Sequence, residues 1–138
     1  MKKNTQHASS SLYTLPSIPK TTQREVKDFT YTHFRRIADK APFTVIEWAE
    51  MLHISERTLH RYAKENTPFQ GLQVELILLI GKMIDLGLTL FDKEGLKNWV
   101  HSPAFSLNNR TPLETMQSYA GIQEVIQLLG RIQHGIPA

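Results

Sequence analysis

The stretch from Leu72 to Phe91 constrains this chain more than any other. Leu72, Val74, Leu76, Ile77, Leu78, Leu79, Ile80, Met83, Ile84, Leu86, Leu88, Leu90 and Phe91 are apolar around most of a helix circumference. A helix of that kind must be covered on several sides. Glu75, Lys82 and Asp85 sit within it, at depths where charges argue against a membrane span. A chain of 138 residues has few elements to supply the cover. Either a second copy packs against the helix, or its own neighbours wrap it. Gly81 and Gly87 mark close helix approach or simply cost helix stability. No alternating β pattern is sustained anywhere, so the expected fold class is all-α, a small helical protein.

Composition removes several chemistries. There is no cysteine, which excludes a disulfide scaffold, a thiolate zinc site and a cysteine nucleophile. Lys2 and Lys3 are not followed by an apolar run, so no secretory leader and no membrane attachment are expected, and the chain reads as cytoplasmic. The histidines His7, His33, His53, His60, His101 and His134 form no His-x-x-x-His or His-Glu-x-x-His pair, so no metal site is expected. Neither a glycine-rich phosphate loop nor a Gly-x-Ser-x-Gly elbow is present. The expectation is a non-enzyme with no catalytic residues and no cofactor.

Charge divides the chain. Residues 1–64 hold 11 Lys/Arg against 6 Asp/Glu, and residues 65–138 hold 5 against 7. A basic front and a mildly acidic back point to different partners. Residues 1–20 are rich in Ser, Thr, Lys and Pro without a period and read as an arm. A helix-turn-helix module is expected over 21–68 and a second helical module, for partner binding and dimerisation, over 69–138. Thr21 or Thr22 can cap a first helix carrying Val26, Phe29, Phe34 and Ile37, with Pro42 at its end.

The segment Trp48-Ala49-Glu50-Met51-Leu52-His53-Ile54-Ser55-Glu56-Arg57-Thr58-Leu59-His60-Arg61-Tyr62 has helix-turn-helix spacing. The helices expected to carry it run over Phe43 to Leu52 and Ser55 to Lys64. Small Ala49 permits a close crossing, Ile54 and Leu59 fill it, and Ser55 caps the second helix through the Arg57 or Thr58 N–H. The candidate DNA-binding residues are Ser55, Arg57, Thr58, His60, Arg61 and Lys64, of types that meet base edges and phosphates in a major groove. Glu56 opposes phosphate. His53 occupies the turn position where glycine is favoured for its positive φ, which histidine tolerates better than most side chains. A plain helical hairpin with a solvated polar face would share this core.

Further on, Asp92 can cap a short helix bearing Leu96, Trp99 and Val100, with Pro103 beyond it and Trp99 read as core. Ala104 to Arg110 reads as a loop. Thr111-Pro112-Leu113-Glu114 is a helix start in which Glu114 reaches back to the Thr111 amide. The last helix carries Ile122, Val125, Ile126, Leu129 and Ile132 on one stripe, with His134 at its negative end and Gly135 at its left-handed cap.

Three motifs then stand in order: Leu96-Lys97-Asn98-Trp99-Val100-His101-Ser102-Pro103, Leu107-Asn108-Asn109-Arg110-Thr111-Pro112, and Gln117-Ser118-Tyr119-Ala120-Gly121 followed by Leu129-Gly130-Arg131-Ile132-Gln133-His134-Gly135. With the helix-turn-helix they make residues 43–138 resemble the Xre/MbcA/ParS-type antitoxins, an Xre-like helix-turn-helix joined to a toxin-binding domain. Asn108-Asn109 stands where the family pattern has Gly-Gly, which asparagine can mimic by accepting left-handed geometry. Gln117-Ser118 stands for Asp-Thr, and only Ile-Pro-Ala follows Gly135. The resemblance implies an antitoxin of a type II toxin-antitoxin system whose cognate RES-domain toxin consumes NAD⁺ or uses it for ADP-ribosylation. It further implies occlusion of the toxin's active site, operator DNA as a second partner, and autoregulation. Arg131 is the implied toxin-binding side chain, with Gln133, His134, Gly135 and Ile136 around it. Without the resemblance these five residues read as a helix C-cap. The alternative function is a stand-alone transcriptional regulator whose back module only forms a homodimer.

Overall fold

The computed structural model describes residues 28–136. The arm over 1–20, the candidate caps Thr21 and Thr22, and Val26 lie outside them. The described residues form seven α-helices and one 3₁₀ turn: α1 Tyr31–Ala38, α2 Val45–Leu52, α3 Glu56–Glu65, α4 Gly71–Leu90, α5 Lys93–Val100, the turn Phe105–Leu107, α6 Pro112–Thr115 and α7 Tyr119–Gln133. No strand occurs among them, and the sole bridge, Ala104 to Arg110, closes a loop.

The first helix corrects the sequence expectation. Asp28 to Thr30 are not helical, and α1 starts after Thr30, whose N–H donates to His33 Nδ1 at 3.2 Å. Phe29 precedes the cap and lies on His33, ring centroids 5.4 Å apart. A histidine at the third helical position replaces the usual Glu or Gln of a capping box, so the start signal is hard to read.

Helix α2 begins two residues later than expected because Thr44 caps it. Thr44 Oγ1 accepts the Glu47 N–H at 3.1 Å, and Glu47 Oε1 accepts the Thr44 N–H at 2.9 Å. Phe43, just outside, packs edge-on against Trp48 at 5.6 Å, an apolar staple over the cap. His53 ends α2 at φ 57°, the left-handed turn expected of that position. Ser55 Oγ accepts the Thr58 N–H at 3.0 Å and starts α3.

Helix α4 is the wall shared by both halves. Val74, Leu76, Ile77, Ile80, Met83 and Ile84 are buried in one core with Phe34, Trp48, Met51 and Leu52 from the front and Leu107, Met116, Ile122, Val125 and Leu128 from the back. Each such side chain stabilises the fold by about 1.5–3 kcal/mol relative to exposure. Most of the α4 circumference is covered by its own neighbours, α7 above all; Leu72 and Leu78 are left exposed. Gly87 marks a close approach, since a Cβ there would fall 2.7 Å from Leu96 Cδ1. Trp99 is half-buried and stacks on Phe91 at 5.9 Å.

Asp92 Oδ1 accepts the Gly95 N–H at 2.7 Å to start α5. The Leu-Asn-Asn loop places Asn108 at φ 57° and Asn109 at φ 63°, so asparagine supplies the left-handed pair. Thr111 and Glu114 form the expected capping box, with the Thr111 N–H 2.8 Å from Glu114 Oε1. Ser118 Oγ accepts the Gly121 N–H at 3.0 Å and turns the chain into α7. The elbow is tight: a Cβ on Gly121 would stand 1.8 Å from the Thr115 carbonyl oxygen.

Candidate functional site

Two exposed faces and one junction emerge. The first is the outer side of α3. Leu59 and Tyr62 point inward and are buried, while Glu56, Arg57, His60, Arg61 and Lys64 are exposed. The Arg61 guanidinium lies 5.8 Å from the Tyr62 ring centroid, which steadies it without hiding its donors. Ser55 and Thr58 are occupied with each other: Ser55 Oγ also donates to Thr58 Oγ1 at 2.9 Å. Both hydroxyls therefore build the cap, and the freely presented members of the predicted set are Arg57, His60, Arg61 and Lys64. Thr32 Oγ1 donates to Asn66 Oδ1 at 3.3 Å and ties α1 to the end of this helix.

The second face is the end of α7. Arg131 is half-buried on the last turn, and Gln133, His134, Gly135 and Ile136 are exposed. Gly135 takes φ 76°. Its N–H donates to the Ile132 carbonyl at 3.0 Å, and the Ile136 N–H donates to the Arg131 carbonyl at 2.8 Å. This is the Schellman closure of a helix. The C-cap reading of these residues is thus correct for their backbone. It leaves their side chains uncommitted, and Ile136 stays 51% exposed where such a motif usually folds its apolar residue back onto the helix.

The junction was not legible in the sequence. His53 Nε2 donates to the Gln117 carbonyl at 2.7 Å, so the turn between α2 and α3 rests on the residue before the Ser118 cap of α7. His101, at the end of α5, lies between two acceptors: Nε2 is 2.6 Å from Glu47 Oε2 and Nδ1 is 2.7 Å from the Lys97 carbonyl. Only an imidazolium can donate to both. The Glu47 bond, then the Lys97 bond, raises the His101 pKa above its ordinary 6.5. Burial pushes the Glu47 carboxyl up, but the His101 bond, the Thr44 N–H and the neighbouring positive charge together bring it below 4.5. These partners lie 54 and 64 residues apart, beyond any spacing rule. The one visible hint was histidine in a turn that favours glycine.

A helix-turn-helix thus shares one core with a second helical module whose last helix ends in an exposed Schellman closure. Comparison with known families gives this arrangement its place. The Antitoxin Xre-like helix-turn-helix domain matches residues 29–81, and the Antitoxin Xre/MbcA/ParS C-terminal toxin-binding domain matches residues 87–135. The chain thus carries the two domains of the Xre/MbcA/ParS antitoxins, in that order. Antitoxin Xre of Yersinia enterocolitica is 29% identical over 85 residues, covering 60% of this chain and 57% of that protein's length. A chain of the crystal structure of the M. tuberculosis MbcT-MbcA toxin-antitoxin complex superposes with a TM-score of 0.64 at 17% identity, covering 76% of this chain and 94% of the other. That likeness concerns the fold.

Proposed function

We propose that this protein is the antitoxin of a RES-type toxin, acting without catalysis by seating the end of α7 over the toxin's active site. Arg131 pairs with acidic or carbonyl groups at the entrance, its planar fork of donors suiting such a pocket. Gln133, His134, Gly135 and Ile136 fill the space around it. The observation that carries this reading is the end of α7 itself: the Schellman closure satisfies the backbone while Ile136 and the polar side chains remain available. The match of the toxin-binding domain through residue 135 supports it.

The other half of the proposal is repression of the protein's own operon. Arg57, His60, Arg61 and Lys64 enter the major groove, and a homodimer presents two such helices to paired half-sites. The exposed cations on α3 and the Xre-like domain over residues 29–81 support this part. No helix among the described residues is long and apolar enough to cross a membrane, which accords with action in the cytoplasm.

The test is co-expression with the product of the neighbouring gene, reading growth and cellular NAD⁺. A neighbour that alone depletes NAD⁺ and arrests growth, with both restored by this chain, is the expected result. A stable complex that leaves toxicity intact would overturn the occlusion mechanism. A harmless neighbour would leave a DNA-binding regulator as the better account.

A further inference from the structure

The open side of α4 carries Leu72, Glu75, Leu78, Lys82 and Asp85, with half-buried Leu79 and Leu86 beside them. Leu72 is 67% and Leu78 46% exposed, on a helix whose remaining apolar residues form the wall of the core. Glu75, Leu78, Leu79, Lys82 and Tyr119 line an open groove of ≈ 290 Å³. Among the described residues neither Glu75 nor Lys82 has an ion-pair partner, whereas Asp85, one turn further on, is held by Lys40 Nζ at 2.7 Å.

The order of these residues has a symmetry. Glu75 and Lys82 stand two helical turns apart, about 10 Å along the axis, and their midpoint falls between Leu78 and Leu79. A two-fold axis through that midpoint lays the helix antiparallel on a copy of itself. Leu78 and Leu79 then meet their counterparts at the centre, and Glu75 of each copy faces Lys82 of the other. Parallel pairing would oppose Glu75 to Glu75 and Lys82 to Lys82. An unrelated partner would need no such self-complementary order. A two-fold interface requires it, because each contact occurs twice with the roles exchanged.

We propose that the α4 groove is the homodimer interface: two copies pair antiparallel through Leu78 and Leu79, fixed in register by two Glu75–Lys82 ion pairs. Tyr119, 44% exposed at the start of α7, closes the side of the groove. The proposal rests on the homodimer named above and supplies its surface.

The test uses the full chain, with mass read by light scattering or sedimentation between about 1 and 100 µM. Wild type runs as a dimer. Glu75→Lys and Lys82→Glu each place two like-charge contacts in the interface and weaken the dimer about 10-fold or more. The double exchange Glu75→Lys with Lys82→Glu restores the wild-type constant to within about threefold, because the pairs re-form with reversed signs. Leu78→Asp gives a monomer. Far-UV circular dichroism stays near wild type, since these side chains lie outside the core, and melting temperature falls only by what association of the native chains contributes. A monomeric wild type at 100 µM overturns the proposal, as does a dimer indifferent to the exchanges or one the double exchange fails to restore. Toxin neutralisation by the same variants separates the two readings. A monomer that still neutralises removes this interface and leaves the antitoxin function standing. Loss of toxin binding by Leu78→Asp from an already monomeric chain assigns the groove to the toxin instead.

Discussion

The outer face of α3 and the end of α7 are built differently. On α3, Arg57, His60, Arg61 and Lys64 project from a buried base of Leu59 and Tyr62, and a separate pair of hydroxyls, Ser55 and Thr58, does the capping. The side chains proposed to bind DNA carry little of the fold. On α7 the residues proposed to bind are the same ones that close the helix, through the Arg131 and Ile132 carbonyls and Gly135. A spread of exposed cations suits a polyanion, where affinity sums over many similar contacts. One half-buried guanidinium beside one exposed apolar residue suits a pocket, where a few contacts carry most of the energy. Substitutions should therefore act gradually on the first face and steeply on the second.

The largest effect breaks the support of the second face. Gly121→Ala drives a methyl group into the Thr115 carbonyl, and urea unfolding should show a loss of about 3 kcal/mol or more. A loss below about 1 kcal/mol would mean that α6 moves aside cheaply and that the elbow is not fixed. Arg131→Glu should lower toxin affinity about 100-fold or more while operator binding and melting temperature hold. A shallow decline in titration calorimetry would remove the contrast between the faces. Arg61→Ala should weaken operator binding by about 1–3 kcal/mol if it reads a base. If Arg61 meets only phosphate, the loss will be equal on all sequences, with a gentler salt slope in fluorescence anisotropy.

The smallest effect concerns the junction. The raised His101 pKa means its contribution is full below about pH 6.5 and is lost as pH rises through the folded value. The lowered Glu47 pKa means its contribution is full above about pH 4.5 and is lost as pH falls through the folded value. The pair is therefore strongest between those limits. It is partly exposed, so its worth is about 0.5–1 kcal/mol. His101→Gln should flatten the decline in stability above pH 6.5 in denaturant titrations run across pH. An unchanged pH profile would show that the imidazolium adds nothing.

Much of this was readable from local chemistry. Ser55, Asp92, Thr111 and Ser118 each cap through the residue three further on, a relation visible in the string. His53 and Gly135 announced their positive φ, and Asn108-Asn109 could be read as a substitute for two glycines. The start of α1 was missed because Thr21 and Thr22 offered caps earlier in the chain, whereas the cap used, Thr30, pairs with a histidine. Whether α4 was wrapped or paired could not be read from its composition, since burial depends on where α7 returns. The His101–Glu47 and His53–Gln117 contacts join residues that only the finished fold brings together. For the candidate binding faces, the sequence offered residue types; the hydrogen bonds between Ser55 and Thr58 separated those two from Arg57 and Arg61.

The two family domains meet inside α4, one ending at residue 81 and the other beginning at 87, and the helix runs unbroken from Gly71 to Leu90. There is no linker for a hinge. If both partners bind as proposed, the protein works as a rigid set-square: a toxin held at the end of α7 stands at one fixed height and azimuth above the operator. Inserting base pairs between half-sites would then rotate whole toxins about the DNA axis, and the spacing of an operator would decide whether neighbouring complexes fit side by side or collide.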